Sequence, residues 1–169
     1  MDIILIGMPG CGKTTIGKIL AKKLKLEFVD ADDELVKIEG REPNEIFATD
    51  GEGYFRKAET ECLKKILGKN RVISTGGGVV VTEENHRIIK ESDSVTVFID
   101  RPPELIMGDV KTSTRPLLAD GKERIMKLYS ERYDKYVSLC DIRIENVGTI
   151  DDIVSGILYE VKIYENNGN

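Results

Sequence analysis

The sequence is poor in the residues that bind zinc or form disulfide bonds. Its 169 residues include one histidine, His86, and three cysteines, Cys11, Cys62 and Cys140. The cysteines are odd in number and widely spaced, which fits neither a disulfide framework nor a paired-cysteine metal site. We therefore expect a protein of a reducing compartment that lacks a structural zinc ion.

Long apolar runs and an excess of basic charge are also missing. The chain passes from Met1 into a short apolar segment without a basic leader, and no apolar run approaches the roughly 20 residues of a membrane span. The formal net charge is -5, whereas binding to a nucleic-acid backbone requires clustered positive charge. We expect a cytoplasmic protein that binds neither membranes nor nucleic acids. Since no long apolar stripe remains once the core is assigned, we also expect a monomer.

Short apolar, β-branched segments alternate with segments whose apolar residues recur at helical spacing. The former predict five strands, at residues 3–6, 27–29, 71–75, 95–99 and 141–144. The latter predict helices at residues 14–24, 33–39, 44–49, 52–67, 83–90, 122–137 and 150–161, with a short one after Pro103. This alternation is typical of an α/β fold, and we predict a three-layer α/β/α sandwich with a five-stranded parallel sheet. The 169 residues are expected to form one domain, in which residues 108–121 are a loop.

A phosphate-binding motif follows the first predicted strand. Residues 7–14 read GMPGCGKT and fit the pattern G-x-x-x-x-G-K-[ST], between a predicted strand and a predicted helix as the pattern requires. The glycines allow backbone amides to converge on phosphate, Lys13 reaches the β and γ oxygens, and Thr14 ligates magnesium. We therefore predict that the chain binds ATP and Mg²⁺. The predicted nucleotide contacts are Gly10, Cys11, Gly12, Lys13, Thr14 and Thr15. The alternatives are a chance glycine turn and a P-loop that binds nucleotide without transferring phosphate.

Two carboxylates, Asp30 and Asp32, directly follow the second predicted strand. Open α/β sheets bind ligands at the carboxyl ends of their strands, and alternation along an extended chain would direct both side chains to the same side. One could hold magnesium through water, while the other accepts the proton of a substrate hydroxyl. The alternative is that Asp32 caps the helix that follows.

Three consecutive glycines, residues 76–78, follow the third predicted strand. Such a run is costly in chain entropy unless a ligand or another backbone approaches closely, so we expect its amides to contact a hydroxyl or carboxylate. A plain turn is the alternative. Arg56, Arg115 and Arg132 are candidates for binding carboxylate or phosphoryl groups, and a solvated surface position is the alternative for each.

Together these residues resemble the shikimate kinase family, over residues 3–161. Many kinases share the P-loop, so the resemblance depends on more specific segments: Asp30-Ala31-Asp32, the stretch from Glu45-Ile46-Phe47 through Gly51-Glu52 to Phe55-Arg56 and Glu59, the glycine run, and Thr114-Arg115-Pro116-Leu117-Leu118. The resemblance implies a fold of the nucleoside monophosphate kinase type. It also implies a lid over about residues 108–121 and a substrate-binding helical region over about residues 31–60.

The resemblance further implies the reaction, transfer of the γ-phosphate of ATP to the 3-hydroxyl of shikimate. The implied catalytic residues are Lys13, Asp32 and Arg115, of which Arg115 would also contact the ATP phosphates. Thr14 and Asp30 would hold the metal. The implied substrate-binding residues are Asp32, Phe47, Phe55, Arg56, Gly76, Gly77, Gly78 and Arg132. Among these, Arg56 and Arg132 would bind the carboxylate, Asp32 would hold the hydroxyls and assist the attacking one, and Glu59 would orient Arg56.

The sequence departs from the family pattern on the side of the nucleotide base. Family members often carry an arginine about seven residues before the lid arginine, and this chain has Gly108 there. Residues 146–148 hold no arginine either. The alternative functions are a kinase of the same fold that acts on gluconate or a nucleoside monophosphate, and a nucleotide-binding module that transfers no phosphate.

Overall fold

Five parallel strands form the centre of the computed structural model, which describes residues 1–110 and 121–168. The strands are β1 (Asp2–Ile6), β2 (Glu27–Asp30), β3 (Arg71–Ser74), β4 (Ser94–Asp100) and β5 (Ile142–Glu145). They pair in the order β2-β3-β1-β4-β5, and every pairing is parallel. The predicted α/β fold with a five-stranded parallel sheet is confirmed.

Seven helices and one 3₁₀ turn connect or follow these strands in the described part of the chain. The helices are α1 (Lys13–Leu24), α2 (Ala31–Glu39), α3 (Pro43–Ile66), α4 (Glu83–Glu91), α5 (Pro103–Val110), α6 (Lys122–Leu139) and α7 (Ile150–Asn166), and the 3₁₀ turn is Val79–Val81. The helices predicted at residues 44–49 and 52–67 meet at Gly51, whose φ of 83° and ψ of 172° interrupt α3. Within residues 1–110 and 121–168, no helix has the length and hydrophobicity to cross a membrane.

The sheet is covered on both of its faces. All five residues of β1 are buried, as are six consecutive residues of β4. Because successive side chains of a strand point to opposite faces, continuous burial requires packing on both sides. A Cβ atom at Gly17 of α1 would lie 2.6 Å from the ring of Phe28, so α1 packs closely against the sheet. The loop between β1 and α1 is therefore held between two well-packed elements.

Asp2 organises the edge of the sheet at the amino ends of the strands. Its side chain is buried, and its carboxylate accepts a hydrogen bond of 2.8 Å from the backbone N–H of Arg71 and another from that of Gly68. Asn70, between these donors, has a left-handed φ of 57°. The first strand thereby ties the turn before β3, which sets the neighbouring strand in register.

We expect Asp2→Ala to lower the free energy of unfolding by about 1–3 kcal/mol, because two backbone N–H groups would lose their acceptor. Urea denaturation followed by circular dichroism measures the change. Asp93→Ala is the control, since Asp93 is 83% exposed and pairs only with the terminal amine among the described ion pairs. Equal losses in the two variants would show that the turn does not depend on Asp2.

Candidate active site

The P-loop, residues 7–14, has a backbone conformation that requires its glycines. Gly7, Gly10 and Gly12 have φ angles of 146°, 81° and 99°. A Cβ atom at Gly7 would also lie 2.6 Å from the carbonyl oxygen of Ile99. The glycines of the motif therefore allow both the sharp turns of the P-loop and its close approach to β4.

Lys13, the first residue of α1, is buried within the P-loop. Its Nζ donates hydrogen bonds of 2.9 Å to the carbonyl oxygens of Gly7 and Met8, and lies 3.7 Å from Cys11 Sγ. The ammonium group is thus held by the loop that the motif assigns to phosphate binding. A phosphate oxygen that enters the loop meets a positive charge already positioned there.

Three side-chain oxygens meet beside the P-loop. Thr14 Oγ1 donates a hydrogen bond of 2.9 Å to Asp30 Oδ2 and lies 3.5 Å from Ser74 Oγ. Hydroxyl and carboxylate oxygens are ligands that suit Mg²⁺, so this group fits the predicted metal. The sequence reasoning missed Ser74. Its available signal was a polar residue at the carboxyl end of an otherwise apolar strand.

Asp30 and Asp32 differ from their predicted arrangement. Asp30 caps α2, since its Oδ1 accepts a hydrogen bond of 3.1 Å from the backbone N–H of Asp32. Asp32 lies in the first turn of that helix. The prediction that an extended chain directs both side chains to the same side is therefore wrong. The helix begins directly after β2 because Asp30, not Asp32, supplies its cap.

A cavity of about 230 Å³ lies on the β2–β3 side of the P-loop. Every predicted substrate-binding residue lines it: Asp32, Phe47, Phe55, Arg56, Gly76, Gly77, Gly78 and Arg132. The sequence reasoning missed Arg124 and Leu128, which line it as well. Residues 124, 128 and 132 are spaced by four on α6, and this helical spacing was the signal that could have found them.

Arg56 is held in the wall of this cavity by aromatic rings and carboxylates. The centroids of Phe47 and Phe55 are 4.7 Å apart, and the Arg56 guanidinium lies 5.7 Å and 5.2 Å from them. Arg56 Nη1 donates a hydrogen bond of 2.9 Å to Glu59 Oε2. Burial raises the pKa of the Glu59 carboxyl above its ordinary value, and Arg56 opposes that rise. The guanidinium is thus preorganised as a planar donor.

The glycine run makes close contacts with three parts of the cavity. A Cβ atom would lie 2.9 Å from Asp32 Oδ1 at Gly76, 2.5 Å from Pro9 Cδ at Gly77, and 2.3 Å from Arg56 Nη1 at Gly78. A side chain at any of these positions would displace a neighbour. The run is therefore more than a plain turn, because it lets α2, α3 and the P-loop approach one another.

Tyr136 connects this run to α6. Its side chain is fully buried, and its hydroxyl donates a hydrogen bond of 2.6 Å to the carbonyl oxygen of Gly77. Burial raises the pKa of the hydroxyl, while the nearby Arg132 guanidinium lowers it. Arg132 and the glycine run are therefore positioned together.

A second cavity, of about 260 Å³, lies on the other side of the P-loop. The predicted nucleotide contacts Gly10, Cys11, Gly12 and Thr15 line it, together with residues that follow β4 and β5. Asn146 Nδ2 donates a hydrogen bond of 2.9 Å to the carbonyl oxygen of Cys11, which ties the end of β5 to the P-loop. Residues 108–110, predicted to belong to the lid loop, instead form the end of α5, so that part of the prediction is wrong. Arg115 and residues 111–120 of the predicted lid lie outside the described residues.

Comparisons with known proteins identify the family of this chain. A family model described as shikimate kinase matches residues 9–162. A shikimate kinase of Clostridium botulinum is 48% identical over 156 residues, which are 92% of this chain and 93% of that protein.

Solved structures give the same result. The shikimate kinase of Acinetobacter baumannii in complex with shikimate is 32% identical with a TM-score of 0.88, over 99% of this chain and 95% of the other. The shikimate kinase of Aquifex aeolicus is 39% identical with a TM-score of 0.83, over 96% of both chains. Because the family model and these relatives match nearly the whole length of the chain, the chain belongs to the shikimate kinase family.

Proposed function

We propose that this protein transfers the γ-phosphate of ATP to the 3-hydroxyl of shikimate, with Mg²⁺ as the metal. The observation that carries the proposal is that Asp32, Arg56 and Arg132 line a single cavity beside the P-loop. Glu59, which pairs with Arg56, and Arg124 line it as well. Arginine pairs with a carboxylate, and a carboxylate pairs with hydroxyls, so the cavity is complementary to a small hydroxy acid. The Acinetobacter baumannii relative, solved in complex with shikimate, supports the same acceptor.

The acceptor is held by opposite charges at two places in the cavity. Arg56 and Arg132 bind its carboxylate, and Phe47 and Phe55 contact its ring. Asp32 accepts hydrogen bonds from the hydroxyls and takes the proton of the attacking one. Since Pro9 of the P-loop lines the cavity, an acceptor held in this way can present its attacking hydroxyl to the phosphate bound by the P-loop.

The donor is held by the P-loop. Its amides and Lys13 bind the β- and γ-phosphates, and Arg115 adds positive charge from the proposed lid, which follows α5. Thr14 and Asp30 would hold Mg²⁺, which neutralises charge on the transferring phosphoryl group. We further propose that residues 1–169 act as one domain, with a helical acceptor region at residues 31–60, and that the enzyme is a cytoplasmic monomer.

Coupled ADP release with Mg²⁺ and ATP tests the acceptor. We expect turnover with shikimate and little with gluconate or AMP, because these lack either the rigid ring or the carboxylate that the cavity matches.

Asp32→Asn should lower kcat by roughly 100-fold or more, since the proton acceptor is lost. Arg132→Ala should raise KM for shikimate by roughly 10- to 100-fold, because a charge-assisted hydrogen bond is removed. Turnover with gluconate or AMP and none with shikimate would refute the proposed acceptor.

Gly78→Ala tests the role of the glycine run. The added methyl group would displace the Arg56 guanidinium, so we expect KM for shikimate to rise by roughly 10-fold or more while KM for ATP stays close to wild type. Gly53→Ala is the matched control, since a Cβ atom at Gly53 of α3 meets nothing within 4 Å. That variant should keep both KM values and gain about 0.5–1 kcal/mol of stability. An unchanged KM for shikimate in Gly78→Ala would contradict the assignment of Arg56.

The raised pKa of the Glu59 carboxyl predicts that the free energy of unfolding depends on pH. Because burial raises its pKa in the folded state, the folded protein holds this proton more tightly than the unfolded chain does. The Glu59 contribution to stability is therefore present below its ordinary pKa of 4.5 and is lost as the pH rises through the raised value. In urea denaturation from acid to neutral pH, Glu59→Gln should show a smaller fall in unfolding free energy than wild type. Parallel pH profiles would contradict this.

A further inference from the structure

The position of the second cavity relative to the P-loop bears on how the nucleotide is bound. The acceptor cavity touches the P-loop at Pro9, whereas the second cavity touches it at Gly10, Gly12 and Thr15. If the γ-phosphate points to the acceptor, the rest of the nucleotide extends the opposite way. The base then enters the second cavity.

Arg101 lines that cavity and is held in one orientation. Its Nε donates a hydrogen bond of 2.9 Å to Asp109 Oδ2, its Nη2 lies 2.8 Å from the same oxygen, and its Nη1 donates a hydrogen bond of 2.9 Å to the carbonyl oxygen of Asn146. The side chain is 18% exposed. It directly follows β4, and its partners belong to α5 and to the segment after β5.

This anchoring leaves Arg101 suited to a flat ligand. The three contacts use the edge of the guanidinium plane, whereas stacking on an aromatic ring uses its face, so the two kinds of contact are compatible. Ile150 also lines the cavity, and it is 46% exposed in spite of its apolar side chain. A planar ring placed there would gain both a cationic face and an apolar contact.

We propose that Arg101 binds the base of the nucleotide by stacking, with Asp109 and the Asn146 carbonyl as the groups that position it. The proposal rests on the proposed function in taking ATP as the ligand. It assigns Arg101 to the affinity for the base and not to phosphate binding or to phosphoryl transfer. The competing explanation is that Arg101 only joins α5 to the sheet.

Calorimetric titration with ATP and with inorganic tripolyphosphate, which has no base, separates these explanations. Arg101→Ala should weaken ATP binding roughly 5- to 30-fold and leave tripolyphosphate binding unchanged, with KM for shikimate also unchanged. Arg101→Lys keeps the charge beside Asp109 but lacks the plane, so it should show most of the same loss. Arg71→Ala is the matched control, since Arg71 is 19% exposed and pairs with Glu27 at 2.8 Å at the opposite edge of the sheet.

Three results would overturn the proposal. Equal weakening of ATP and tripolyphosphate would mean that Arg101 acts on the phosphates or on the shape of the P-loop. Unchanged ATP binding would mean that it does not contact the base, and full rescue by Arg101→Lys would mean that charge alone matters. Should Arg101→Ala fail to fold by circular dichroism, the comparison of the two ligands in Arg101→Lys decides. A wild-type protein that binds neither ligand would refute the proposed donor instead.

Discussion

The close approach of residues 76–78 to three other segments is the constraint on which the site depends. Asp32, Pro9 and Arg56 each occupy the space that a side chain at one of these glycines would fill. Asp32, for which we propose the role of proton acceptor, the P-loop and Arg56, which we propose to bind the acceptor carboxylate, thereby converge on one short backbone segment. Tyr136 fixes that segment from the other side through its hydrogen bond to Gly77, so that α6 and Arg132 follow it.

The cavity proposed for the acceptor concentrates positive charge, although the net charge of the protein is negative. The chain carries a net charge of -5, yet Arg56, Arg124 and Arg132 line one small cavity. Glu59, buried beside Arg56, bears a desolvation penalty that its ion pair offsets only in part, because the pKa of its carboxyl stays above the ordinary value. The Arg56–Glu59 pair is better explained by the orientation it gives to Arg56 than by a gain in folding stability. A guanidinium that is already fixed loses less conformational freedom when a carboxylate binds.

The features that depend on local sequence patterns could be predicted from the sequence. The P-loop and the five strands follow from spacing alone, and the glycine run pointed to a close contact without naming the partners. Asp32 was placed in the site for an incorrect reason, since the chain enters α2 one residue after Asp30. Ser74 and Arg124 were missed because their roles arise only when separate segments meet. The contacts of Arg101 could not be predicted for the same reason, since its partners lie 8 and 45 residues away along the chain.

The order of the strands places the two cavities on opposite sides of the P-loop. β1 is central, with β3 and β2 on one side and β4 and β5 on the other. At the carboxyl edge, Asp30 and Ser74 therefore lie on one side of the P-loop, while Arg101 and Asn146 lie on the other. In-line transfer requires the attacking oxygen, the phosphorus and the leaving oxygen to be aligned. A parallel sheet with the P-loop after its central strand permits this, because it places one cavity on each side of the P-loop.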